Sequence, residues 1–96
     1  MTFKDLKFIP HKVIPKSGIQ AKLEVKPKVF VSVIAGDGFY STAKGTGVRG
    51  AVTDPKNVSS FEVGIIDENL PEKQQEWDVR GWQSREDINK LLATFI

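Results

Sequence analysis

The chain has no cysteine, and its 96 residues include only one histidine, one methionine and one tyrosine. Without thiols it forms neither disulfides nor thiolate metal sites, a composition that suits a reducing cytoplasm. The sole histidine, His11, sits between Pro10 and Lys12, so a zinc site and a Ser/His hydrolase both lack partners. No apolar run approaches the roughly 18 residues of a membrane span. The opening MTFKDLKFIPHK has no long apolar stretch followed by a small-residue cleavage site, so neither a membrane nor a secretory signal is expected. There is no G-x-x-x-x-G-K-[ST], H-R-D or D-F-G motif and no calcium-loop spacing, and no convergent acid/base pair can be named. The sequence reads as that of a non-enzyme with no cofactor and no metal.

What remains is an ordinary globular composition, 40% apolar and 27% charged, of a length that makes one domain over 1–96. The net charge of +2 is unevenly spread: residues 1–56 hold ten Lys/Arg against four acids, and residues 57–96 hold four against eight. This asymmetry suits an anionic partner for the first half, and equally two halves of one domain that attract each other.

Periodicity gives the fold. Ser84, Glu86 and Asp87 make an N-cap and acidic first turn, and Ile88, Leu91, Leu92, Phe95 and Ile96 form one apolar stripe, predicting a helix over 84–96. Ile19, Ala21, Leu23 and Val25 alternate with polar residues as in a strand with one wet face; KVFVSVIAG is apolar on both sides, as in a central strand. SSFEVGIID supplies a third strand and QQEWDVRGW a fourth, with Trp77 and Val79 facing one way and Asp78 and Arg80 the other. Trp82 is expected to pack in the core, as is Trp77. Segment 1–17, interrupted by Pro10 and Pro15, is confined to an edge strand or an extended arm. The fold class is therefore α+β: an antiparallel sheet of four or five strands with one C-terminal helix packed across it.

Residues 36–57 are predicted to be a long glycine-rich loop. Its GTGVRG stretch matches G-x-G-x-x-G, but FYSTAK before it is no hydrophobic strand and AVTDPKN after it starts no helix, so a dinucleotide site does not follow. Phe39 and Tyr40 can stack there, Lys44 and Arg49 can pair with anions, and a floppy hairpin tip has the same composition.

Three stretches carry a resemblance: FKDLKFIPH, GIQAKLEV and DVRGWQSREDINKLL. Together they resemble small uncharacterised proteins of bacteriophages and prophages, with an F-x-D-L-K-F-x-P-H start and a D-V-x-G-W-x-x-x-E-D-I-x-x-L-L end. The resemblance covers about a third of the chain, and Lys26-Pro27-Lys28 stands where an Asn-Gly turn is expected. It implies a virus-encoded protein of the bacterial cytoplasm. The leading expectation is a stoichiometric inhibitor or modulator of a host protein, including anti-defence roles. The alternative is a single-stranded nucleic-acid or nucleotide binder using Phe39, Tyr40, Lys44 and Arg49. Assembly into an oligomer is compatible with either.

Overall fold

The computed structural model describes residues 1–43 and 54–95. Its longer strands are β2 (Gly18–Lys26), β3 (Val29–Gly36), β5 (Val58–Asp67) and β6 (Glu76–Gln83), with two-residue strands β1 (Ile9–Pro10) and β4 (Thr42–Ala43) and one α-helix, α1 (Arg85–Ala93). All pairings are antiparallel: β1 with β2, β2 with β3, β3 with β5, and β5 with both β4 and β6. Val33 and Arg80 both register with Val63, so β3 and β6 flank β5 on opposite edges. The expected α+β architecture is present.

Alternation decides which face is covered. Ile19 and Ala21 of β2, Val31, Val33 and Ala35 of β3, and Phe61, Val63 and Ile65 of β5 are all buried, together with Ile88 and Leu92 of α1. The helix lies on this face, and each of the Val, Ile, Leu and Phe side chains contributes roughly 1.5–3 kcal/mol on leaving water. Ser84 caps α1 as predicted: its hydroxyl accepts from the Asp87 N–H at 3.0 Å, and its own N–H donates to the Asp87 carboxylate at 2.9 Å. The helix stops earlier than predicted, at Ala93, with Thr94 as its C-cap and the Thr94 hydroxyl donating to the Leu91 carbonyl at 2.7 Å.

The N-terminal segment is more than an arm. Its strand is only Ile9–Pro10, and Phe3–Asp5 is a 3-10 turn. Phe3 and Phe8 instead pack on Phe61, with ring centroids 5.2 and 5.7 Å away, and the Phe3 N–H donates to Asn89 of α1 at 2.7 Å. Arg85 covers this cluster, 5.1 Å from the Phe3 ring and 5.3 Å from the Phe61 ring, while donating to the Val58 and Pro55 carbonyls at 2.8 and 2.7 Å.

The stretch 36–57 is not one loop. Gly36 ends β3 opposite Gly18, where an added Cβ would meet the Ser17 carbonyl at 2.5 Å, so the crossing of these two backbones requires glycine. Residues 37–41 turn into β4, which pairs with Ser60 and Val58, and Pro55–Asn57 is a 3-10 turn capped by Asp54. Residues 44–53, with Lys44 and Arg49, lie outside the described residues.

β6 departs from the predicted alternation. Gln83, Arg80 and Trp77 register with Phe61, Val63 and Ile65, three residues on β6 for every two on β5. Two bulges supply the extra residues, and Asp78 (φ 55) and Trp82 (φ 52) take left-handed backbone there. Val79 thereby lands beside Gly64 on the face opposite the helix and is half exposed, while Asp78 and Arg80 line a cavity beside α1. The expected facing is reversed at Val79, Asp78 and Arg80, and Trp82, expected in the core, is 57% exposed.

Candidate functional site

Among the described residues no helix covers the face of the sheet away from α1. Register orders its side chains in rows: Gln20, Ile34 and Glu62; then Lys22, Ser32 and Gly64; then Glu24, Phe30 and Ile66. The middle row is small at its centre, so the face dips into a trough of about 380 Å³ that also reaches His11 and Glu76.

An aromatic ridge closes one end of the trough. The 37–41 turn leaves the end of β3 and crosses above β5, where the Tyr40 N–H donates to the Glu62 carboxylate at 3.2 Å. It reaches β6, where the Trp82 N–H donates to the Tyr40 carbonyl at 2.8 Å. The Tyr40 and Trp82 rings meet at a tilt of 49° with centroids 5.1 Å apart, and Phe39 meets His11 at 50° and 4.9 Å. Two features make the crossing feasible. Gly81 has no Cβ, which would lie 2.7 Å from the Tyr40 Cβ, and Ser41, buried at the base of the turn, accepts the Gly36 N–H through its hydroxyl at 3.1 Å. Tyr40 stays 47% exposed and Trp82 57%.

A tryptophan at φ 52 is a rare conformation for a bulky side chain, and it is held here by the bulge of β6 and the Tyr40 carbonyl. Strain of this kind costs on the order of 1–3 kcal/mol and concentrates where side chains are presented for binding.

Charge across the face is mixed. Lys12 and Lys22 lie on the β1–β2 side; Glu62 and Glu76 lie on the β5–β6 side. Lys22 sits 4.4 Å above the Phe30 ring and 3.3 Å from the Glu68 carboxylate, a surface pair worth little in water.

A second cavity, about 430 Å³ between β6 and α1, holds the Asp78–Arg80 pair at 2.7 Å. The hydrogen bond and the charge of Asp78 raise the Arg80 pKa above its ordinary value. The Asp78 carboxylate accepts two hydrogen bonds from the Arg80 guanidinium, at 3.1 and 2.7 Å. Among the described residues no cluster of three or more His, Asp or Glu could hold a metal ion, and no helix is long and apolar enough to cross a membrane.

Of the residues singled out from sequence, Phe39 and Tyr40 are on the ridge, and Lys44 and Arg49 fall outside the described residues. Trp82, His11 and the open-face row of Lys22, Ser32 and Gly64 were not anticipated. The one available signal was the Gly81-Trp82 step inside an otherwise regular strand, since glycine in a strand marks a bulge or a close backbone approach. No protein-family model, curated protein or solved structure matches the chain.

Proposed function

We propose that this chain is a non-catalytic binding protein that grips a partner protein through the Tyr40–Trp82 ridge. The observation that carries the reading is Trp82, more than half exposed and held in left-handed backbone by its hydrogen bond to Tyr40. Exposed tryptophan and tyrosine, pre-organised and costing few rotamers, are the usual anchors of protein interfaces. Lysines and glutamates interleaved around them suit a protein surface of mixed charge better than a polyanion. The resemblance to small bacteriophage and prophage proteins supplies the setting: a stoichiometric inhibitor or modulator of a host protein, a defence protein included, in the bacterial cytoplasm.

The second reading, a single-stranded nucleic-acid or nucleotide binder, has one observation in its favour, the Phe30 ring beneath Lys22 on an open sheet face. Glu62 and Glu76 on the same face oppose it. A pull-down from host lysate, followed by titration of the captured protein, separates the two. On the first reading one host protein binds stoichiometrically, and replacing both Tyr40 and Trp82 by Ala weakens binding by about 2 kcal/mol or more. Reversing Lys44 and Arg49 to Glu weakens it only modestly. On the second, an oligonucleotide binds with an affinity that falls steeply between low and physiological salt.

A further inference from the structure

We propose that the Asp37–Gly38 peptide is a site of spontaneous isomerisation to isoaspartate, and that the extra backbone atom this introduces takes the Tyr40–Trp82 ridge apart. The inference concerns the chemistry of the turn and does not depend on what the ridge grips.

Hydrogen bonding singles the residue out. The chain has six aspartates. Asp5, Asp54, Asp67 and Asp87 each accept a backbone N–H at 2.8 to 2.9 Å, and Asp78 holds the Arg80 guanidinium. Asp37 is exposed, and its carboxylate has no hydrogen-bond partner among the described residues. It is also the only Asp or Asn in the sequence that is followed by glycine; every other precedes a larger residue, whose side chain shields the next peptide nitrogen. Gly38 is exposed too, and beyond its chain neighbours no heavy atom lies within 4 Å of where a Cβ would stand. Its φ of 84 is backbone that glycine adopts freely. Its N–H donates to nothing among the described residues, whereas the N–H groups on either side are bonded: Asp37 to the Ser17 carbonyl at 3.1 Å and Phe39 to the Gly36 carbonyl at 3.2 Å. The 37–38 peptide is thus a loose link in a turn pinned at both ends.

The reaction needs only water. The Gly38 nitrogen attacks Cγ of the Asp37 carboxyl, forming an N–Cγ bond. The nitrogen gives up its proton, the Cγ–OH bond breaks, and the two leave as water, closing a five-membered succinimide. Water then adds to one of the two ring carbonyls and breaks its bond to nitrogen. Opening at Cγ returns aspartate; opening at the main-chain carbonyl leaves isoaspartate, whose chain runs through Cβ and Cγ. Nothing is oxidised or reduced, and the mass is unchanged.

The new backbone atom falls inside the ring that the Phe39 N–H closes on the Gly36 carbonyl. One end of the turn is held at Ser17, and the other at Ser41, whose hydroxyl accepts the Gly36 N–H at 3.1 Å. The added length must be taken up between them, by Phe39 and Tyr40. That moves Phe39 off His11 and draws the Tyr40 carbonyl away from the Trp82 N–H.

The test is to age the full folded chain for several weeks at 37 °C in mildly acidic buffer, beside the same chain unfolded in urea. Isoaspartate is counted with a protein isoaspartyl carboxyl methyltransferase and labelled S-adenosylmethionine, and placed by peptide fragmentation. The expected result is one site, at residue 37, reached through a species lighter by one water. Asp37→Asn should form isoaspartate about tenfold faster or more, because ammonia leaves an amide more readily than water leaves a carboxyl. Asp37→Glu should form none, because its longer side chain closes a six-membered ring far more slowly. In the separated isoaspartyl chain the Trp82 N–H should exchange with solvent about tenfold faster or more than in fresh protein. Asp37→Glu aged in parallel should keep its protection. A folded chain that forms no isoaspartate at residue 37 while the unfolded one does overturns the proposal, since the fold then locks the turn. So does isoaspartate at residue 37 that leaves the Trp82 N–H as protected as before.

Discussion

The backbone N–H of Trp82 donates to the carbonyl of Tyr40 over 2.8 Å, and the same residue carries a φ of 52. The bond ties a turn that leaves β3 to a strand on the far edge of β5, and the left-handed backbone aims the indole outward. Glycine at this position relieves the strain and alanine does not. Trp82→Ala should unfold at a lower denaturant midpoint than Trp82→Gly, by about 1 kcal/mol in stability, since left-handed backbone penalises any Cβ. Equal midpoints would show that position 82 stores no strain.

Gly81→Ala tests the ridge from below. Its new Cβ would stand 2.7 Å from the Tyr40 Cβ, so Tyr40 must lift away from Trp82. A loss of about 1 kcal/mol or more is expected, with a shift in indole fluorescence as Trp82 loses the tyrosine. An unchanged spectrum would mean that the two rings are not held together through Gly81.

Leu92 is fully buried between α1 and the sheet. Leu92→Ala should cost about 2–5 kcal/mol, a large share of a small domain's stability. Denaturant midpoints indistinguishable from the parent would contradict the helix-on-sheet packing.

The β2–β3 turn gives a stabilising change. Pro27 is followed by Lys28 at φ 61, a position that favours glycine, and the turn is tied to 67–70 by the Glu68 N–H on the Lys28 carbonyl at 2.8 Å. Lys28→Gly should leave the fold intact and raise stability by about 0.5–1 kcal/mol, read as a higher thermal midpoint.

The helix cap is pH-sensitive. The hydrogen bond from the Ser84 backbone, then the Ser84 hydroxyl, hold the Asp87 carboxyl below the usual carboxylate range. A carboxyl whose pKa is lower folded than unfolded contributes stability that is fully present above its ordinary value of about 3.9 and is lost as pH falls through the lowered one. The difference in thermal midpoint between the parent and Asp87→Asn should therefore shrink as the buffer is taken from pH 6 towards pH 2. A constant difference over that range would remove Asp87 from the cap.

The regular parts of this fold were legible because one rule governs each. Ile19 to Val25 alternates and is β2; Ile88, Leu91 and Leu92 fall on one stripe and are the packed side of α1. Legibility failed where an extra residue broke the period. Alternation paired Val79 with Trp77, but the bulge at Asp78 moved Val79 to the open face, and the one at Trp82 put that residue outside. The N-terminal segment failed differently: Phe3, Leu6 and Phe8 follow no single period because they dock one by one onto Phe61 and α1. Half of the ridge was visible as Phe39 and Tyr40. Its other half lies 42 positions on from Tyr40, across a strand pairing that no local pattern encodes.

The two bulges of β6 also govern what the sheet can grow into. Among the described strands β6 pairs only with β5, and it spends eight residues, Glu76–Gln83, on the six from Phe61 to Ile66. A regular strand laid along its other side would fall out of step within a few residues. On the opposite border, Lys22, Glu24 and Lys26 run along β2 past the end of β1, and burying such charges against a like neighbour is costly. Both borders therefore disfavour a further strand, and edge-to-edge growth of the sheet is hindered on each side.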